Sequence, residues 1–257
     1  MHVLLAVLLG TVIGLSLGAI GGGGSILTVP ILVYVIGQDA HMATATSLAI
    51  VGATALAGAI PHWRAGRVSL TTALPFGAAG IGGAFVGAWA NHLVPGWLIL
   101  GLFGVLMLVV AARMFFSKRG PVKRKASAGS GWLHWVRIVG AGLIVGVMTG
   151  FFGVGGGFLI VPALVLVLGL SMREAVGTSL VVIAINSVSG LLAHLRYGGL
   201  DLATLGLFVA GGTLGALAGA LVSGRLDEQR LQRGFAVFIA LVGVWLIARN
   251  LVPALLV

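Results

Sequence analysis

The sequence predicts an all-α polytopic membrane protein made of two inverted repeats, each with five hydrophobic segments. Three observations carry that prediction. Of 257 residues, 59% are apolar and only 8% charged, whereas a soluble globule needs about a quarter charged residues to cover its surface. Apolar runs of spanning length recur along the whole chain, at a mean hydropathy of +1.18. The chain also contains itself twice. Gly18-Ala-Ile-Gly-Gly-Gly-Gly-Ser-Ile-Leu-Thr-Val-Pro30 returns as Gly150-Phe-Phe-Gly-Val-Gly-Gly-Gly-Phe-Leu-Ile-Val-Pro162, displaced by 132 positions. Without a gap, positions 18–66 and 150–198 share 19 of 49 residues, where composition alone gives roughly a tenth. A β-barrel would alternate with period two in short segments, and these runs do not.

The segments follow in order. The first, 3–20, has the look of a signal peptide's core. It lacks a basic start, and its counterpart Trp135–Phe151 is internal, so it belongs to the fold. The second, 25–36, sits directly behind the glycines 21–24. About 12 residues make about 18 Å of helix, well under the hydrocarbon thickness of about 30 Å. It either spans by local thinning or forms a re-entrant half-helix with its glycine tip inside the membrane. Segments 43–61, 70–91 and 96–116 are of spanning length. The second half repeats the series as 135–152, 157–168, 175–193, 202–222 and 231–251, again with a short second member behind a glycine cluster. The organisation is a first repeat, 1–117, a basic linker, 118–133, and a second repeat, 134–257.

Either geometry gives each half an odd number of crossings, so the second half enters from the opposite face. The charges agree. With the link bearing Lys118, Arg119, Lys123, Arg124 and Lys125 in the cytoplasm, Arg64, Arg67, Arg173, Arg225, Arg230 and Arg233 also fall inside. The Asp39 loop, the Asn91–Pro95 turn, Arg196, Asp201 and Arg249 fall outside. That is the positive-inside pattern, and it makes the N-terminus extracytoplasmic. The net charge of +10 therefore orients the chain in its bilayer and does not point to nucleic acid.

Chemistry has few places to sit. The clusters Gly21, Gly22, Gly23, Gly24 and Gly153, Gly155, Gly156, Gly157 each open a short helix. A helix start presents unpaired N–H groups and partial positive charge, and glycine lets a ligand approach its backbone. Two such tips meeting near the midplane make the binding site of a repeat-built transporter; the competing reading is tight packing of helices on small residues. No Gly-Lys-Ser/Thr follows either cluster, which excludes a nucleotide loop. Ser25 and the pairs Thr46–Ser47 and Thr178–Ser179 offer uncharged donors, or bond to their own preceding turns. Asn186, aligned with Thr54, is the one strongly polar side chain deep in a segment. His62 with Arg64, and His194 with Arg196, sit at segment ends as vestibule groups, proton carriers or interface anchors.

No Asp or Glu lies in the middle of a segment, so a carboxylate proton relay or multivalent-cation site is not expected. There are no cysteines, no metal set and no catalytic constellation, so neither a cofactor nor an enzyme is expected. The expected partners are a lipid bilayer, a small anion and, where protomers pair, a second copy of the chain.

On the glycine clusters with Pro30 and Pro162, the Thr46-Ser47-Leu48 and Thr178-Ser179-Leu180 elements and the two His-x-Arg-x-Gly elements, the chain resembles the TauE/SafE sulfite exporter family. The resemblance covers essentially the whole chain. It implies a permease of the bacterial inner membrane for sulfite or related sulfur-containing anions, including organosulfonates, and leaves the anion and the direction open. A non-transporting membrane scaffold and a permease for another small metabolite are the alternatives.

Overall fold

The computed structural model describes residues 2–38, 40–91, 93–94, 96–116, 132–152, 157–194 and 201–255. These residues form α1 (His2–Ile20), α2 (Gly23–Tyr34), α3 (Ala40–Arg64), α4 (Leu70–Asn91), α5 (Gly96–Phe116), α6 (Trp132–Phe152), α7 (Gly157–Leu166), α8 (Met172–His194), α9 (Leu202–Arg225) and α10 (Glu228–Leu255). Each apolar segment read from the sequence is one of these helices, with ends moved by a few residues. Six are long and apolar enough to cross a membrane: α1, α3, α4, α6, α8 and α9. The protein is an all-α polytopic membrane protein. Asp39, most of the basic linker, Gly153, Gly155, Gly156 and Arg196 lie outside the described residues.

The two short helices stop the same way. Gly37 and Gly169 take φ of +81° and +73°, a left-handed conformation in which any other residue is strained. The next N–H turns back in each case: Gln38 to the Leu32 carbonyl at 3.0 Å, and Leu170 to that of Leu164 at 3.0 Å. This is a helix stop on a left-handed glycine, with a following N–H reaching back six residues, formed twice by residues 132 positions apart. At the other end of α2, Gly21 (φ +81°) breaks the chain away from α1, with its N–H on the Leu17 carbonyl at 2.8 Å.

Helices pair across the two halves: α1 on α9, α4 on α6, α5 on α10 and α3 on α8. Glycine makes the first two pairings possible. Cβ atoms on Gly10, Gly14 and Gly18 of α1 would overlap or crowd the backbones of Phe208, Gly212 and Ala216 of α9. Those on Gly142, Gly146 and Gly150 of α6 would meet Phe76, Gly80 and Ala84 of α4. The second set is the first displaced by 132. In lipid no hydrophobic gain drives helices together, so close backbone approach supplies the adhesion. Between these pairs α3 and α8 run antiparallel, with Leu48 against Gly190, Ser187 against Gly52, Leu180 against Gly58 and His62 against Gly177. Residues 157–165 of α7 are all buried, and the Phe158 ring meets Phe103 edge-on at 5.0 Å. The short helices therefore lie at the centre of the bundle.

The loops sort into two ends. At one, the Arg67 guanidinium reaches Gly224, Arg173 donates to the Leu226 carbonyl at 2.7 Å, and Gln232 donates to that of Met114. At the other, Gln38 donates to Asp201 at 3.0 Å. Asp201 also caps α9, accepting from the Thr204 N–H at 3.1 Å and from its hydroxyl. The Thr204 bonds, with help from Gln38, hold the Asp201 carboxyl below the ordinary carboxylate range. A carboxyl depressed on folding stabilises the fold above its unfolded pKa of about 4, and that contribution fades as pH falls through the folded value. Thermal melts in detergent should show a stability loss beginning near pH 4 that Asp201→Asn flattens. An unchanged acid limb in the variant would assign the loss to other groups.

Candidate functional site

The two glycine tips touch. Gly22 caps the start of α2 and Gly157 opens α7. A Cβ on Gly22 would overlap the Gly157 carbonyl, and one on Gly157 would crowd the Gly22 Cα at 3.0 Å and overlap the Ser25 hydroxyl. A Cβ on Gly21 would lie 2.6 Å from the Ser179 Oγ and 2.8 Å from Val161. Gly21, Gly22, Ser25, Gly157 and Ser179 thus gather from α2, α7 and α8, all buried. Each helix start carries about half a positive charge on its free N–H groups, and here two starts converge.

The rest of the first cluster does other work. Gly24 lies against the Ile13 carbonyl and Leu17 of α1, and Gly23 faces the Phe238 ring and the Ser16 hydroxyl, each 3.2 Å from a would-be Cβ. Both are packing positions. Gly153, Gly155 and Gly156 are outside the described residues.

The hydroxyls divide similarly. Ser25 donates to the Gly22 carbonyl at 2.7 Å and Ser179 to that of Val176 at 2.8 Å, both within their own turns. Such bonds satisfy the proton and leave the oxygen lone pairs free. Thr178 accepts from the Ser69 N–H at 3.0 Å and keeps its proton. Ser47 is buried beside Thr46. Thr46 and Thr54 are fully buried with Oγ1 unpartnered, as is Oδ1 of Asn186. A buried unpaired polar atom costs about 1–3 kcal/mol, so a ligand that pairs it recovers that free energy. Thr54 and Asn186 are repeat equivalents, and each packs on a glycine of its neighbour, Gly212 and Gly80.

His62 and Arg64 part company. His62 is 1% exposed, with Nε2 3.0 Å from the Gly18 carbonyl, while Arg64 is exposed. His194 ends α8, and Arg196 is outside the described residues. Sequence reasoning passed over Ser69, whose N–H meets Thr178. No side-chain pattern could have found it, because the contact is made by backbone.

Comparison with known proteins fits this architecture. A protein of Xylella fastidiosa named "Probable membrane transporter protein" is 36% identical over 247 residues, covering 94% of this chain and 93% of its own. YdhB of Bacillus subtilis, with the same designation, is 29% identical over 249 residues, covering 95% of this chain and 100% of its own. A Haemophilus influenzae protein so named is 27% identical over 267 residues, covering 94% of this chain and 97% of its own. No solved structure matches. The profile of the family described as sulfite exporter TauE/SafE matches residues 6–246, and the chain belongs to that family of membrane transporters.

Proposed function

We propose that the protein is a permease for sulfite or a related sulfur-containing anion, exporting it across the bacterial inner membrane by alternating access. The observation that carries this reading is the contact of two helix starts, Gly22 and Gly157, at the buried centre of the bundle. Two positive ends brought together repel each other, and a small oxyanion held against them relieves that repulsion. The unpaired Thr46 hydroxyl and the Thr178 hydroxyl, whose protons are not given to a neighbour, would donate to the anion, with Asn186 offering its amide N–H side. Neutral donors bind without the deep trapping that a buried Arg brings.

An inverted relation between the repeats is supported by the antiparallel run of α3 and α8 and by contacts recurring at a spacing of 132. Placing the end with Arg64, Arg67, Arg173, Arg230 and Arg233 in the cytoplasm satisfies the positive-inside rule. An interior-negative potential then drives export with about 2.3 kcal/mol per charge per 100 mV, and no co-ion is needed. No catalytic step is involved.

The test is efflux of sulfite, thiosulfate, sulfoacetate, sulfate, acetate and chloride from proteoliposomes at a clamped potential. Sulfur oxyanions should leave faster as the lumen is made negative, and the same anions should raise the melting temperature of purified protein. Thr46→Val should weaken that stabilisation roughly fivefold in apparent Kd, the value of one hydrogen bond. Flux indifferent to voltage and driven only by pH would count against a passive exporter; no anion effect on either readout would favour a scaffold.

A further inference from the structure

We propose that the turn Ala65–Ser69 is the gate at the α3–α4 end of the site, latched shut by the Thr178 hydroxyl; this rests on the permease reading above. The turn rides on the end of α3. Gly66 takes φ +67°, its N–H meets the Trp63 carbonyl at 2.8 Å, and that of Arg67 meets the His62 carbonyl at 2.9 Å. From there the turn lies directly on α8 and α9. The Arg67 carbonyl is 2.5 Å from where a Gly177 Cβ would stand, the Arg67 Nη1 is 3.1 Å from the same point on Gly224, and the Ser69 N–H donates to Thr178 at 3.0 Å. At this end the turn is packed against both helices.

The gate is wired to the site at two points. Thr178 accepts the Ser69 N–H with a lone pair and keeps its proton for an anion, so one hydroxyl feels both partners, each bond strengthening the other. The His62 imidazole, on the helix that carries the turn, reaches the Gly18 carbonyl at 3.0 Å, three residues before Gly21. Movement of the turn therefore reaches the tip of α2.

The two halves are not in the same state. Thr46 is the repeat equivalent of Thr178, and its Oγ1 is buried without a partner. Asp201 is the equivalent of Ser69, and its carboxylate is tied to Gln38 and Thr204. The residue aligned with Gly177, against which the turn settles on α8, is Ala45 in the first half. One latch made and its twin unmade is the asymmetry that alternating access between related repeats requires.

The chain has no cysteine, so a single Ser179→Cys reporter, one residue deeper than the latch, can be labelled with a membrane-impermeant maleimide in vesicles of either orientation. Labelling through the α3–α4 face should be slow. Thr178→Val should speed it about fivefold, the population shift expected from loss of one buried hydrogen bond, and Thr178→Ser should restore the slow rate. Ser69→Pro removes the donor while sparing Thr178 and should act like Thr178→Val. Unchanged rates in monodisperse Thr178→Val and Ser69→Pro proteins, or equal acceleration from both faces, would overturn the gate. Sulfite-dependent melting shifts of the protein with Ser179 intact separate the two readings. Their absence beside a normal gate response rejects the anion site alone, and their presence beside unchanged labelling rejects the gate alone.

Discussion

Gly22→Ala is expected to abolish transport and to cost the fold about 3 kcal/mol or more, the upper range for overpacking a close contact. The added methyl has nowhere to go. Its position overlaps the carbonyl carbon and oxygen of Gly157 and the amide of Phe158, all backbone, so no rotamer change makes room. The starts of α2 and α7 must separate, and any ligand held by both loses one of them. Gly23→Ala provides the control: its methyl meets the Phe238 ring edge and the Ser16 hydroxyl at 3.2 Å, two side chains that can each yield a few tenths of an ångström. That variant should lose less than about 1 kcal/mol and keep most of its flux; Gly23→Leu, which must displace the Phe238 ring, should not. Flux in proteoliposomes and melting temperature in detergent check the series. Near-parental transport by Gly22→Ala would remove the contact of the two tips from the mechanism.

The helices were legible because each is an apolar run, long or short, closed by charge, proline or glycine, and lipid leaves the backbone no alternative to helix. The duplication was legible because glycine and Thr–Ser cannot drift freely where backbones touch. What stayed hidden was the division of labour inside each motif. Four consecutive glycines read as one anion cradle, yet Gly21 and Gly22 face α7 and α8 while Gly23 and Gly24 face α10 and α1. A helix turns 100° per residue, so neighbours along the chain necessarily meet different partners, and a single sequence does not say which. His62 and Arg64 read as a pair at a membrane face for the same reason. Two residues apart on a helix they point to nearly opposite sides, and the structure buries one and exposes the other. The partners of Gly14 and Gly146 lay in the opposite half of the chain, beyond any local pattern.

Those two glycines give the second large effect. Gly14→Leu and Gly146→Leu should each destabilise the protein by about 3 kcal/mol or more, and by similar amounts. A Cβ at Gly14 falls on the Gly212 carbonyl of α9, and one at Gly146 falls on the Gly80 carbonyl of α4; Gly212 is Gly80 displaced by the same 132 positions. Either substitution forces a pair of tightly apposed helices apart along their length, and lipid tails fill the gap with no better packing than the helices had. Gly206→Leu is the counterpart, since nothing lies within 4 Å of its would-be Cβ. There leucine replaces the poorest helix former short of proline and should be neutral or stabilising by up to about 0.8 kcal/mol. Because α1 leads directly into Gly21 and Gly22, a displaced α1 also moves the tip, so Gly14→Leu should lose transport even in protein that still inserts. Melting temperatures of the three variants decide the matter. If Gly14→Leu unfolds the protein while Gly146→Leu leaves it intact, the two helix pairs are not equivalent, and symmetry between the repeats does not extend to the forces that hold them together.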